Sequence, residues 1–223
     1  MIELKDIRKS FGKLEVLSGI SMKIPKGSIV GLVGANGAGK TTMFRSIAGI
    51  EQCEGEVLVE KECLPIGLLL SNPEYLSKMT AQEYLIFMCK ARKVEEFDCN
   101  KSNIFDLPLS SYASTFSTGM KKKLALTALL MQKNQFFILD EPFSGVDFES
   151  NLMINHILQK IKAAGKTILI SSHILSSLTE ICDQIHFLKA GKIDRSVSKN
   201  NFEKINQNLD FIDIESKLSQ LDF

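Results

Sequence analysis

Tryptophan is missing from this 223-residue chain, tyrosine occurs three times, and histidine three times. Cysteine is sparse. Cys53, Cys63, Cys89, Cys99 and Cys182 are odd in number and show no C-x-x-C spacing, which reads as reduced thiols of an intracellular protein rather than a disulfide framework. An excess of either charge is also lacking. The 27 basic and 26 acidic residues leave a formal net charge of +1, so electrostatics gives no reason to expect nucleic acid or an anionic membrane as a direct partner. Fully apolar runs stay far below the roughly 20 residues needed to cross a bilayer. The start, Met1-Ile2-Glu3-Leu4-Lys5-Asp6, lacks the apolar core of a signal peptide. No internal repeat, low-complexity run or linker breaks the pattern, so nothing calls for a second independent domain. What remains is an ordinary globular composition, 44% hydrophobic and 24% charged, in a chain long enough for one large domain or a domain with a lobe.

Periodicity divides the chain into strands and helices. Ile2 to Arg8 and Val16 to Ile24 read as strands; in the second, Val16, Ile20, Met22 and Ile24 alternate as in a half-buried antiparallel pair. Residues 28–33 read as a buried strand, and Met43 to Ala48 as a helix stopped by Gly49. Short strands follow at Gly55 to Glu60 and Ile66 to Leu70. Thr80 and Glu83 have the spacing of a capping box ahead of the apolar face of Tyr84, Leu85, Phe87 and Met88. Residues 93–115 are polar and irregular, and Met120 to Met131 is helical. Phe136 to Asp140 is a buried strand ending in acid. Glu149 to Ala163 and Leu175 to Cys182 read as helices, Thr167 to Ser171 and Gln184 to Lys189 as strands. Alternating buried strands and helices predict an α/β domain with a mainly parallel central sheet, an N-terminal antiparallel part and a short helical lobe over about 72–132. The domain is expected to span 1–195. The polar tail, 196–223, carries Phe202, Ile205, Leu209, Ile214, Leu218 and Leu221 at helical spacing and is expected to pack on the domain.

The most specific signal is Gly34-Ala35-Asn36-Gly37-Ala38-Gly39-Lys40-Thr41-Thr42, which matches the phosphate-binding P-loop G-x-x-x-x-G-K-[ST]. Its glycines let the backbone curl so that N–H groups point inward as an anion nest. A helix starting near Gly39 aims its positive end at the same phosphates. Lys40 would reach the β- and γ-phosphates, and the Thr41 hydroxyl would take a place on Mg²⁺. The loop lies between a buried strand and a helix, as the motif requires. Asp140-Glu141, at the end of the strand that opens at Phe136, suits a magnesium site: Asp140 to hold the ion, directly or through water, and Glu141 to orient or deprotonate an attacking water.

Together with Phe116-Ser117-Thr118-Gly119-Met120, Ser144-Gly145-Val146-Asp147 and Ser171-Ser172-His173, these residues give the chain a close resemblance to the ATP-binding subunit of ABC transporters from about Ile2 to Lys192. The resemblance implies ATP and Mg²⁺ as ligands, with ATP hydrolysis as the activity. It implies that Phe11 stacks on adenine, that Glu141 is the catalytic carboxylate, and that His173 contacts the γ-phosphate and steadies water and Glu141. It further implies that Ser117 and Gly119 complete the nucleotide site of an opposite subunit, with Asp147 at that dimer contact. The expected partners are a second ATP-binding subunit, head to tail, and integral membrane transporter subunits, without nucleic acid. The expected place is the cytoplasm, peripheral on the inner face of the cell membrane. A soluble assembly or mechanical ATPase, or a weakly hydrolysing partner in a heterodimer, are the alternative readings.

Three departures stand out. The signature loop usually reads L-S-G-G-Q; the S-x-G-M-K form found here is similar to export-type bacterial systems. The glutamine expected after Ile66 to Leu70, a magnesium contact in the family, is replaced by Ser71, with Asn72 next and able to supply a shorter amide. The lobe between Ser71 and Ser117 is short. Lys121-Lys122-Lys123 also place three cations in a first helical turn, against the dipole preference. Either they form a solvated face or they support a nearby triphosphate.

Overall fold

The computed structural model describes residues 1–205. Among these residues, nine strands form two sheets. The smaller has the order β2-β1-β4, with β1 (Ile2–Phe11) pairing antiparallel to β2 (Leu14–Ile24) and to β4 (Glu54–Val59). The larger contains β3 (Ile29–Val33), β5 (Ile66–Leu69), β6 (Phe136–Asp140), β7 (Thr167–Ser172), β8 (Gln184–Lys189) and β9 (Lys192–Ser198). Its order is β5-β6-β7-β3-β8-β9, parallel throughout except for the antiparallel hairpin β8-β9.

Both faces of the central strands are covered, which explains why they read as unbroken apolar runs. Val30, Leu32, Phe136, Ile138 and Leu169 face one core, shared with Met43, Phe44 and Ile47 of helix α1 (Lys40–Ile47) and the inner residues of β1 and β2. Ile29, Phe137, Leu139, Ile168 and Ile170 face the other, against α4 (Thr118–Met131), α5 (Phe148–Ala163) and α6 (Leu175–Thr179). Successive residues of β6 therefore enter opposite cores, the period of two that a strand imposes.

A third core lies in the helical lobe, built from α2 (Ala81–Ala91), α3 (Cys99–Ser102) and the outer face of α4. The capping box forms as its spacing predicts: Glu83 N–H donates to Thr80 Oγ1 at 3.2 Å, and Thr80 N–H donates back to Glu83 Oε2 at 2.8 Å. Helix α4 contributes Leu124, Ala128 and Met131 to the lobe and Ala125, Leu126 and Leu129 to the second core, so it is apolar nearly all round and joins lobe to sheet.

Several sequence boundaries shift. β1 extends to Phe11 because Leu14 pairs with it across a tight turn. α6 stops at Thr179 rather than Cys182, and irregular residues 93–115 contain the turn of helix α3. The expected division at 195 cuts through β9, which the polar pattern of its exposed face disguised. Beyond it, Phe202 and Ile205 are buried against the second core. Leu209, Ile214, Leu218 and Leu221 lie outside the described residues.

Candidate functional site

Parallel strands deliver their carboxyl ends to one edge of the sheet, where ligands bind in open α/β folds. Because β7 lies between β6 and β3, Asp140 is paired with Ser171, and Val33 with Ser172. The P-loop following β3, the acids ending β6 and the His173 turn following β7 thus meet at a cleft of about 630 Å³. Lys40, Thr41, Thr42, Asp140, Glu141 and His173 all line it.

Local sequence explains how each side chain is aimed. Gly39, at φ 106°, is the N-cap of α1 and turns the chain from loop to helix, so that Lys40 is the first helical residue. Asn36 and Ala35 are exposed on the loop, while Ala38 is buried beneath it with its N–H on the Ala35 carbonyl at 3.1 Å. Lys40 is 7% exposed; its ammonium donates to the carbonyls of Gly34 at 2.7 Å and Ala35 at 3.3 Å, and lies 3.6 Å from Glu141 Oε1. Thr41 Oγ1 donates to Asp140 Oδ2 at 2.5 Å, and Ser171 Oγ donates to Asp140 Oδ1 at 2.6 Å. Both oxygens of this buried carboxylate are therefore committed, which fixes its plane.

Glu141 is held in an unusual backbone state. Its φ is 51°, a left-handed value that costs a bulky residue about 1–3 kcal/mol and persists only where surroundings enforce it. Its N–H donates to Ser171 Oγ at 3.0 Å. On the side chain, His173 Nδ1 lies 2.8 Å from Oε2, and the His173 N–H donates to the same oxygen at 3.3 Å. Glu141 Oε1 is buried and has no hydrogen-bond partner. A buried carboxylate oxygen with no hydrogen bond, ion-paired with a buried ammonium at 3.6 Å, is a place for a water or a substrate proton to be received.

Ser71 and Asn72 both line the cleft, so either alternative for the missing glutamine reaches it. Phe11 does not line it. Its ring is 48% exposed under the Lys9 ammonium at 4.9 Å, and its cross-strand partner Leu14, together with Val16, lines the cleft instead. Ser117 caps α4, accepting from Met120 N–H at 3.3 Å. Neither Ser117 nor Gly119 lines the cleft of its own subunit, although Thr118 between them does. Asp147 caps α5: its carboxylate accepts from Ser150 N–H at 2.9 Å, Lys123 Nζ at 2.9 Å and Ser150 Oγ at 2.8 Å. Those hydrogen bonds, the Ser150 amide foremost, hold this carboxyl well below the usual carboxylate range.

Two of the three consecutive lysines are not part of a solvated face. Lys122 is 3% exposed and lines the cleft, and Lys123 is bound to Asp147 and to Ser150 Oγ. The readable signal was that α4 is apolar almost all round, so a lysine within it must find partners.

Comparisons with known proteins show the family and the fold. The ABC transporter family matches residues 17–144. A lantibiotic transport ATP-binding protein of Streptococcus pyogenes is 31% identical over 207 residues, covering 86% of this chain and 89% of that protein. A bacitracin transport ATP-binding protein of Enterococcus faecalis is 30% identical, covering 96% of this chain and 74% of its own length. Among solved structures, the ATP-binding subunit of an ABC transporter superposes with a TM-score of 0.78 at 22% identity, covering 98% and 99% of the two chains. A bacterial ABC transporter cassette solved as a dimer gives 0.79 at 20% identity, covering 89% and 99%. At such identities the structural likeness speaks for the fold alone. The family match spans more than half of the chain and falls on the P-loop and the Asp140-Glu141 acids, so the chain belongs to the ABC transporter family as an ATP-binding subunit.

Proposed function

We propose that the chain binds ATP with Mg²⁺, hydrolyses it to ADP and phosphate, and so powers export through separate membrane-spanning subunits. The observation that carries this reading is the Glu141 carboxylate, with Oε2 held by His173 at 2.8 Å and Oε1 without a hydrogen bond, 3.6 Å from the Lys40 ammonium in the P-loop cleft. In this reading the P-loop amides and Lys40 bind the phosphates, Lys40 exchanging its loop carbonyls for phosphate oxygens. Glu141 Oε1 orients the attacking water and takes its proton, while His173 keeps the carboxylate from rotating.

The donor set fits magnesium. Thr41 Oγ1 and Asp140 Oδ2 converge within 2.5 Å at the end of the P-loop. No group of three or more acidic, histidine or cysteine side chains is clustered to hold a metal among the described residues. That suits an ion held by one or two protein oxygens and completed by phosphates and water. When bound, Mg²⁺ would supply positive charge that neutralises the phosphates during the reaction. Asp140, Thr41 and either Ser71 or Asn72 are the residues to hold it.

Ser117, Gly119 and Asp147 are read as completing the site of a second ATP-binding subunit, with two ATP molecules between the pair. The placement of Ser117 and Gly119 away from their own cleft supports this. Phe11, the cross-strand partner of the cleft residue Leu14, is read as the surface on which adenine stacks. No helix among the described residues is long and apolar enough to cross a membrane. Membrane-spanning partner subunits, with this chain on their cytoplasmic side, are read from its transport relatives. Export is favoured by relatives named for lantibiotic transport, bacitracin transport and linearmycin resistance.

Purification from detergent-solubilised membranes tests the assignment. A multi-span membrane protein is expected to come with the chain. Recovery of the chain alone from intact membrane complexes would sink the transport reading.

A further inference from the structure

Lys122 is a buried cation that no described acid pairs with. Its ammonium has three donors and spends two of them on main-chain carbonyls: Glu141 O at 2.7 Å and Ser144 O at 2.6 Å. Burying an ammonium is costly unless it is well hydrogen-bonded, so this placement demands a return. Burial pulls its pKa down, and the nearby charges of Glu141 and Asp140 push it back up.

The two carbonyls it grips are not arbitrary. Glu141 holds left-handed backbone geometry, and its N–H is already taken by Ser171 Oγ at 3.0 Å. Lys122 takes the carbonyl of the same residue. Both backbone groups of the strained position are thus fixed, one from β7 and one from α4. Ser144, the second acceptor, closes the turn, its N–H donating to Glu141 O at 3.3 Å. One position further along α4, Lys123 grips Asp147. A single helical turn therefore holds the start and the end of the segment that leads from the catalytic acid to α5.

We propose that Lys122 is a positioning residue for ATP hydrolysis: it clamps the 141–144 turn so that the Glu141 carboxylate stays aligned with His173 and the attacking water. The clamp rests on the reading of Glu141 as catalytic base. It reaches that base from α4, the helix that Ser117 caps, rather than from the P-loop. An apolar residue of similar length cannot replace it, because only a donor satisfies the two carbonyls. Arginine keeps donors at similar reach.

Steady-state ATP turnover by the full chain tests the clamp, with Lys122→Met, Lys122→Arg, Glu141→Gln and the double variant Lys122→Met/Glu141→Gln. Loss of two charge-assisted hydrogen bonds should lower kcat of Lys122→Met by roughly tenfold to a hundredfold. KM for ATP and the affinity for a fluorescent ATP analogue should change by less than about twofold, since the clamp acts on the chemical step. Lys122→Arg should recover most of the rate. In the Glu141→Gln background Lys122→Met should cost less than about twofold more, because the group it positions is gone. The clamp is refuted by an undiminished kcat, by nucleotide affinity falling in step with kcat, or by an equal loss in the Glu141→Gln background. Retained nucleotide affinity shows that each variant is folded; if Lys122→Met does not fold, Lys122→Leu, which also lacks a donor, carries the same comparison. A wild-type chain whose turnover survives Glu141→Gln refutes the ATPase reading and the clamp together. Turnover that depends on Glu141 but is indifferent to Lys122 refutes the clamp alone.

Discussion

Two P-loop glycines separate backbone strain from crowding. Gly37 and Gly39 both have positive φ, 81° and 106°. A methyl on Gly37 would meet nothing within 4 Å, whereas one on Gly39 would lie 2.9 Å from the Val16 carbonyl oxygen and 2.9 Å from Leu17 Cδ2. The carbonyl belongs to β2 and cannot swing aside as a side chain would. Either alanine pays about 1–3 kcal/mol for a left-handed backbone. Only Gly39→Ala adds overpacking, about 1–3 kcal/mol more. At roughly 2–4 °C per kcal/mol for a domain of this size, Gly39→Ala should melt about 2–12 °C below Gly37→Ala. Thermal unfolding without nucleotide reads this directly, free of any change in ligand binding. Coincident melting points, or a Gly37→Ala that melts lower, would refute the argument that β2 packing sets the N-terminus of α1.

Two further outcomes follow from the site and the sheet. Thr41→Ala should require roughly tenfold more Mg²⁺ to half-saturate turnover, with Thr41→Ser near wild type; an unchanged Mg²⁺ titration would remove Thr41 from the metal site. His186, buried on β8 with Nε2 unpartnered, has its imidazole pushed down to about 4 by burial. The unfolded chain takes that proton near 6.5, so the contribution is complete above about pH 6.5. It is lost as pH falls toward 4, where the folded imidazole also protonates. At about 1.4 kcal/mol per pH unit the loss comes to about 3 kcal/mol. His186→Leu should flatten stability in urea across that window, and parallel pH curves for the two proteins would contradict the assignment.

The chemistry that was legible in the chain is the chemistry carried by contiguous residues. Gly34 to Thr42, Asp140-Glu141 and His173 each follow a buried strand, and parallel pairing brings strand ends together without further information. Thr80 and Glu83 were readable because a capping box is local. What escaped depends on rotation or on distant partners. Three consecutive lysines look solvated until α4 is packed on both faces, which turns Lys122 toward the 141–144 turn. β9 was hidden because its exposed face is polar and only pairing with β8 makes it part of the sheet. The positions of Leu14 and Val16 at the cleft, with Phe11 outside it, come from the register of the β1-β2 hairpin, which side-chain chemistry does not encode.

Phosphate release from ATP by the purified chain, wild type against Glu141→Gln at saturating Mg²⁺, tests the central claim most directly. Steady release by the wild type, cut to a small residual rate in Glu141→Gln while ATP still binds, is the expected result. Release that continues undiminished in Glu141→Gln would contradict the claim that the carboxylate held by His173 performs the reaction.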